Sequence, residues 1–444
     1  MKTNSIIIEP HKLSGTVNVP PSKSLSHRGI MCAGLSEYVS IVENLIYSDD
    51  IITTIEAMKH FGMQVLNEEK VGERYRLTLQ NKAITKLKAQ DYKIISEPTT
   101  VHCSESGTTI RFLMPFFTLS SAPMTFTGKG RLGERPYETF YKLLRNQNIP
   151  YETTEGLLPV TITGTLKPDH FQMAGNVSSQ FISGLMLILP LLGETSKIEL
   201  TTPLESKGYV DLTIDTSRQF GVSVEMPDPQ TFVIKGNQHY KGTTYAVEGD
   251  YSQAAFWLVA GSLGNEVMLE GMQKTSLQGD HAILEIVERL GGKITWQTEG
   301  VMATPSDLST VIVDASQCPD LVPVLTVLLS MGSGTSEIIN AGRLRIKESD
   351  RLKAICTELN KMGGQVEELE EGLRVNGVKG FKGAVVDSWN DHRIAMALAI
   401  AATRADGPVE ITGFEAVKKS YPMFWVDYEK LGGVIHGESD WRNL

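Results

Sequence analysis

The sequence predicts an α/β (α+β) chain of two similar domains, each built from three copies of a strand-rich unit wrapped around buried helices. Three observations predict it. The length, 444 residues, suits about two or three domains. An amphipathic helix, a turn residue and a short strand recur together six times, and a second helix type, apolar nearly all round, recurs six times in phase with them.

The amphipathic segments begin at Asp50, Pro136, Tyr209, Asp280, Asp350 and Pro422. Each ends at a turn residue, Gly62, Asn148, Gly221, Gly291, Gly363 or Gly432, at successive intervals of 86, 73, 70, 72 and 69 residues. Glycine or asparagine at a helix end supplies the left-handed residue that stops the helix, so each should feed directly into a strand. The second type starts at Lys23, Ser106, Ser178, Asp250, Asp320 and Asp391, at intervals of 83, 72, 72, 70 and 71 residues. Such helices belong inside a domain. Three repeats make one domain and six make two. The expected division is residues 20–246 for one domain and 1–19 plus 247–444 for the other, with the chain crossing back near Pro20 and again near Ala246.

A polar residue at a helix start is ordinarily a cap for free backbone N–H groups. Six polar starts in phase suggest more. Each buried start carries a partial positive charge, and starts gathered in a cleft between the domains would form an anion site. Lys23, Arg28, Arg111, Lys347, Arg351 and Arg393 reinforce it, and Ser24, Ser178, Ser179 and Gln180 add hydrogen-bonding groups. Two carboxylates, Asp320 and Glu348, sit among these cations. Glu348 reads either as a helix-start acid balancing Lys347 and Arg351 or as half of an acid–base pair. His392 reads equally as a cap or as a site residue.

Composition narrows the partners. The net charge is −10 and no run of Lys and Arg occurs, which speaks against nucleic acid. The longest apolar stretches run about ten residues, half of a membrane span. Cys32, Cys103, Cys318 and Cys356 lack paired or metal-ligand spacing, so reduced thiols, no metal and a cytoplasmic setting are expected. There is no Gly-x-x-x-x-Gly-Lys-Ser/Thr loop and no Gly-x-Gly-x-x-Gly for a nucleotide.

Nine strings in order resemble one family: Pro21-SKSLSHR, Gly107-TTIR, Arg131-LGERP, Ser178-SQF, Ser206-KGY, Asp320, Lys347-ESDR, Asn390-DHR and Lys419-SYP. They are similar to the 5-enolpyruvylshikimate-3-phosphate synthases, enolpyruvyl transferases, from about Leu13 to Gly433. The resemblance implies two domains of three βαβαββ units each, like an inside-out α/β barrel. It implies transfer of the enolpyruvyl group of phosphoenolpyruvate to the 5-hydroxyl of shikimate 3-phosphate, in chorismate and aromatic amino-acid biosynthesis. No cofactor is implied, and a monomer is expected. Lys23 is implied to lie between both substrates. Ser24, Arg28, Ser178, Ser179, Gln180, Ser206, Tyr209, Asp320 and Lys347 match shikimate 3-phosphate contacts. Gly107, Arg131, Gln180, Arg351, Arg393 and Lys419 match the phosphoenolpyruvate pocket. Asp320 matches the base, Glu348 the acid, and Lys23 and His392 stand with them in the catalytic set.

Three departures from known members stand out: Glu105-Ser106 where well-known members read Asn-Ala, Phe112 where they carry a proline, and Arg343 where some members place an asparagine that contacts shikimate 3-phosphate. The family is also the target of glyphosate, which occupies the phosphoenolpyruvate site of many members. The nearest rival, the UDP-N-acetylglucosamine enolpyruvyl transferases, carries a loop cysteine absent from Gly128-KGRLGERP. An RNA end-processing relative and a catalytically dead anion-binding module are the remaining readings. The first lacks a basic aromatic surface, and the second is at odds with Lys23 and both carboxylates.

Overall fold

The computed structural model describes residues 4–89, 93–437 and 441–443. The chain divides into two compact units, Lys23–Val247 and Met1–Ser22 with Glu248–Leu444, each with its own apolar core.

The repeat is legible in the sheets. Among the described residues there are six four-stranded sheets, and all share one topology: a parallel pair, then two antiparallel neighbours. Parallel neighbours need a crossover, and the buried helix supplies it. Thr99–His102, for example, runs into the helix Gly107–Leu113 and returns as Met124–Thr127, paired in parallel with the first strand. Gly107–Leu113, Ser179–Ile188, Tyr251–Ser262, Val322–Leu329 and His392–Ala402 are nearly or wholly buried, as is most of Lys23–Gly34. The amphipathic helices Asp49–Lys59, Glu138–Asn146, Lys207–Gln219, Ile283–Arg289, Arg351–Lys361 and Phe424–Lys430 follow in alternation with them.

All six turn residues have the left-handed backbone their helix ends require, with φ of 88° at Gly62, 54° at Asn148, 83° at Gly221, 90° at Gly291, 81° at Gly363 and 90° at Gly432. The four cysteines are buried and free. No helix among the described residues is long and apolar enough to cross a membrane.

Two sheets are completed out of chain order. Ser14–Asn18 precedes the first buried helix but pairs with Glu266–Glu270, and Thr244–Ala246 precedes the fourth but pairs with Ser40–Leu45. The two repeats have traded first strands, which ties the chain ends of each unit together. Ser5–Glu9 likewise fills the sixth sheet, between Val409–Thr412 and Val434–His436. At the crossing, Ser22 N–H donates to Glu248 O at 2.8 Å and Asp250 N–H to Pro20 O at 2.9 Å.

Candidate active site

Helix starts position the predicted residues in both units. In Lys23–Val247, Ser178 accepts from Gln180 N–H and Ser106 from Thr109 N–H, capping the helices they open. These two helices cross closely because of Gly184: a methyl there would lie 2.5 Å from Arg111 O. The close approach lets their first turns meet. Arg111 Nη1 donates to Gln180 Oε1 at 2.9 Å, and Gln180 Nε2 donates to Thr108 Oγ1 at 2.8 Å, beside Gly107. A methyl on Gly107 would meet Arg135 Nη1 at 2.6 Å and Arg111 Nη1 at 3.2 Å, so two guanidinium groups border this glycine.

Lys23 pairs with Asp50 at 3.0 Å, and both are largely buried. Arg28 is fully buried. It donates to Thr213 Oγ1 at 2.8 Å, to Ser24 O at 2.7 Å and to Tyr209 O at 2.7 Å, and burial lowers its pKa to about 10. Arg28 thereby joins the segments carrying Ser24 and Tyr209. Ser206 opens Lys207–Gln219 in a left-handed conformation, φ 52°, without a side-chain cap. Ser179 is buried in the first turn of its helix. Arg131 lies exposed on the short helix Gly130–Glu134.

In the unit Met1–Ser22 with Glu248–Leu444, four predicted residues share one ion network. The Arg351 guanidinium donates through Nε to Asp391 Oδ2 at 2.8 Å, through Nη1 to Asp320 Oδ1 at 2.9 Å and through Nη2 to Glu348 Oε2 at 2.6 Å. Its planar fork fits three carboxylates. Arg393 donates to Asp320 Oδ2 at 2.9 Å and to Asp320 O at 3.1 Å. Asp391 also caps its own helix by accepting from Arg393 N–H at 2.9 Å. His392 is buried, with Nδ1 3.9 Å from Asp391 Oδ1. Lys419 Nζ donates to Asn390 O at 2.8 Å.

The network separates its titrating groups. Burial alone would raise the pKa of Asp320, but Arg393, Lys347 and Arg351 outweigh it and hold this carboxyl well below the usual range. Asp320 is therefore ionised at neutral pH. Lys347 moves the other way: burial lowers it to about 8, against the pull of Asp320 and Glu348. Asp280, fully buried and accepting from Ser252 Oγ, is raised to about 7 by burial and by the charge on Asp320.

Four participants escaped the sequence reading. Asp391 was visible only as a helix start and as part of a string, Asp50 and Asp280 only as the first acids of amphipathic segments, and Arg135 only as part of a string. Among them, Asp391 had a findable signal: it directly precedes His392 and Arg393, where a capping carboxylate must also face the neighbouring cations.

Comparisons with known proteins identify the family. The family model for EPSP synthase (3-phosphoshikimate 1-carboxyvinyltransferase) matches residues 7–428. A 3-phosphoshikimate 1-carboxyvinyltransferase of Clostridium novyi is 50% identical over 435 residues, covering 97% of this chain and 98% of that one. Its counterpart in Clostridioides difficile is 45% identical over 432 residues, covering 97% and 98%. Among solved structures, an EPSP synthase of Acinetobacter baumannii superposes with a TM-score of 0.79 at 25% identity, over 98% of this chain and 100% of that one. With six copies of one sheet topology, an Arg–carboxylate network at the helix starts and relatives matched over nearly their whole length, the chain belongs to the EPSP synthase family of transferases.

Proposed function

We propose that this chain performs its family's transfer of the enolpyruvyl group from phosphoenolpyruvate to the 5-hydroxyl of shikimate 3-phosphate with proton transfer assigned to Asp320 and Glu348 and substrate binding to the cations and hydroxyls of both units. Asp320 acts as the base at the attacking hydroxyl and Glu348 as the acid that protonates C3 of phosphoenolpyruvate. Protonation makes C2 electrophilic, the hydroxyl adds to it, and the tetrahedral adduct then loses phosphate and one C3 proton. Each group must act in both directions. Arg351 bridging the two carboxylates, with Asp320 held ionised, is the observation that carries this reading.

Lys23 serves both substrates. Ser24, Arg28, Ser178, Ser179, Gln180, Ser206, Tyr209 and Lys347 hold shikimate 3-phosphate. Gly107, Arg131, Gln180, Arg351, Arg393 and Lys419 hold phosphoenolpyruvate, with His392 beside Arg393. Fixed cations aimed at developing negative charge are worth most when water is excluded. Four buried, unpaired thiols support a reducing, cytoplasmic setting, and a monomer is the expected state, read by sedimentation.

The test is phosphate release. The protein should release phosphate from phosphoenolpyruvate with shikimate 3-phosphate and not with UDP-N-acetylglucosamine. Comparable turnover of the nucleotide sugar would overturn the assignment.

A further inference from the structure

The loop that delivers Asp391, His392 and Arg393 is strained. Trp389 and Asn390 are consecutive non-glycine residues with left-handed backbone, φ 54° and 52°. Asparagine tolerates this region, whereas a bulky tryptophan does so only when its surroundings compel it. Local bonds help: Trp389 N–H donates to Asp387 Oδ1, Asn390 N–H to Ser388 Oγ at 3.2 Å, and Ser388 Oγ–H to Gly413 O at 2.8 Å.

Thr412 Oγ1 also donates to Asp387 Oδ2 at 2.7 Å, and a further hold comes from Glu358. This carboxylate, 1% exposed, accepts from the Trp389 indole N–H at 2.8 Å, from Asp387 N–H at 3.0 Å and from Lys361 Nζ at 2.7 Å. Glu358 lies seven positions after Arg351 on the helix Arg351–Lys361, hence on the same face. One helix face thus grips the loop twice, through Arg351 at Asp391 and through Glu358 at Trp389 and Asp387. Beyond the loop, Lys419 Nζ donates a hydrogen bond to Asn390 O, the carbonyl that the left-handed turn orients.

We propose that Glu358, outside every substrate contact named above, is a positioning residue that keeps Trp389 and Asn390 left-handed and so sets where Arg393 and Lys419 present their charges. The proposal rests on the reading of those two cations as the phosphoenolpyruvate side of the site. Glu358→Gln keeps the shape but turns an NH₂ donor toward one of the existing donors, so a loop bond is lost. KM for phosphoenolpyruvate should rise about tenfold, the size of one lost hydrogen bond to a charged group. The kcat and KM for shikimate 3-phosphate should stay within about threefold. Adding Asn390→Gly should restore at least half of the lost affinity, because glycine adopts the left-handed form unaided. Lys361→Ala removes the third partner of Glu358 without touching the loop and should change neither KM.

Trp389→Phe removes only the indole donor from the clamp and should raise the same KM by about threefold; it carries the test should Glu358→Gln fail to fold. Backbone hydrogen exchange over residues 387–393, faster in both variants than in wild type, reads the clamp without turnover. A lowered melting temperature with unchanged KM for phosphoenolpyruvate, equal shifts in both KM values, or no rescue by glycine would each overturn the proposal. A wild-type protein that releases no phosphate would instead overturn the functional reading, while unchanged exchange would count against the clamp alone.

Discussion

The two units are built from the same repeat, yet their buried helices open on opposite chemistry. In Lys23–Val247 the starts are Lys23, Ser106 and Ser178; in the other unit they are Asp250, Asp320 and Asp391. The first set is joined largely by neutral hydrogen bonds, such as Gln180 to Thr108, with Lys23–Asp50 as an ion pair at the first start. In the second set Arg351 joins Asp320 to Asp391, and Arg393 also pairs with Asp320. Ser106, Ser178, Asp250 and Asp391 all cap their helices, and serine and aspartate do so about equally well, so capping cannot explain the difference among these four. The difference teaches that a repeat fixes where a start lies, while the side chain placed there decides whether it meets its neighbours through neutral hydrogen bonds or through ion pairs.

The largest expected effect comes from giving the second unit the first unit's cap. Asp391→Ser keeps an N-cap but takes two hydrogen bonds from Arg351, which is 2% exposed at the side chain. Breaking a buried ion pair costs about 3 to 5 kcal/mol, so chemical denaturation should show a loss of that size. A loss below about 1 kcal/mol would mean that Asp391 is only a cap.

Next in size is chemistry. Asp320→Asn and Glu348→Gln should each lower kcat about 10²-fold or more with little change in KM, since positioned proton transfer contributes 10²- to 10⁴-fold. Near-normal kcat in either variant would return that residue to a structural role.

The reverse exchange sharpens the same contrast. Ser178→Asp retains the cap and complements the helix dipole, so the melting temperature should hold. The added charge should raise KM for shikimate 3-phosphate at least about tenfold, because like charges several ångströms apart repel by about 2 to 3 kcal/mol at an effective dielectric near 20. An unaltered KM would separate Ser178 from the substrate phosphate.

Lys347 gives a graded test. Its pKa, lowered by burial to about 8, leaves it charged below that pH and neutral above. A phosphate ligand needs the charged form, so KM for shikimate 3-phosphate should be flat below pH 8 and rise up to about tenfold per unit above it. Stability should move oppositely. Between about 8 and the ordinary 10.5 the unfolded chain holds a proton that the folded chain has released, so this group's contribution to stability grows with pH. Lys347→Arg, always charged, should flatten the alkaline limb.

Much of this was legible in the sequence because periodicity is local. The six turn residues and both helix types follow from spacing and from what glycine and asparagine allow. That the chain crosses near Pro20 and Ala246 was read from the repeats, but the strands that Ser14–Asn18 and Thr244–Ala246 pair with were not, since strand pairing carries no local signature. Nor was the Arg351 hub, whose carboxylates Asp320, Glu348 and Asp391 come from separate stretches of chain. Charge complementarity has no period. Arg28 shows the limit from the other side: its string reads as a ligand contact, and its environment, with Thr213, Ser24 and Tyr209, became visible only with the fold.

The smallest expected effect is at Gly107, where the first unit's start meets cations instead of carboxylates. A methyl there would approach Arg135 Nη1 to 2.6 Å and Arg111 Nη1 to 3.2 Å. Overpacking a rigid core costs about 1 to 3 kcal/mol, but these are the far ends of long side chains, which can move. Gly107→Ala should therefore change the melting temperature little and shift both guanidinium groups outward. Phosphoenolpyruvate should lose part of their charge, raising its KM by a few-fold, in line with about 1 kcal/mol at a partly exposed ion pair. Glyphosate is longer, so it should meet the methyl directly as well as losing charge. Its inhibition constant should rise by a larger factor than KM does. Measuring both constants beside a melting curve decides the point. Equal shifts would assign the effect to the displaced arginines alone, and a fall in stability with unchanged constants would make Gly107 a turn residue and no wall of the site.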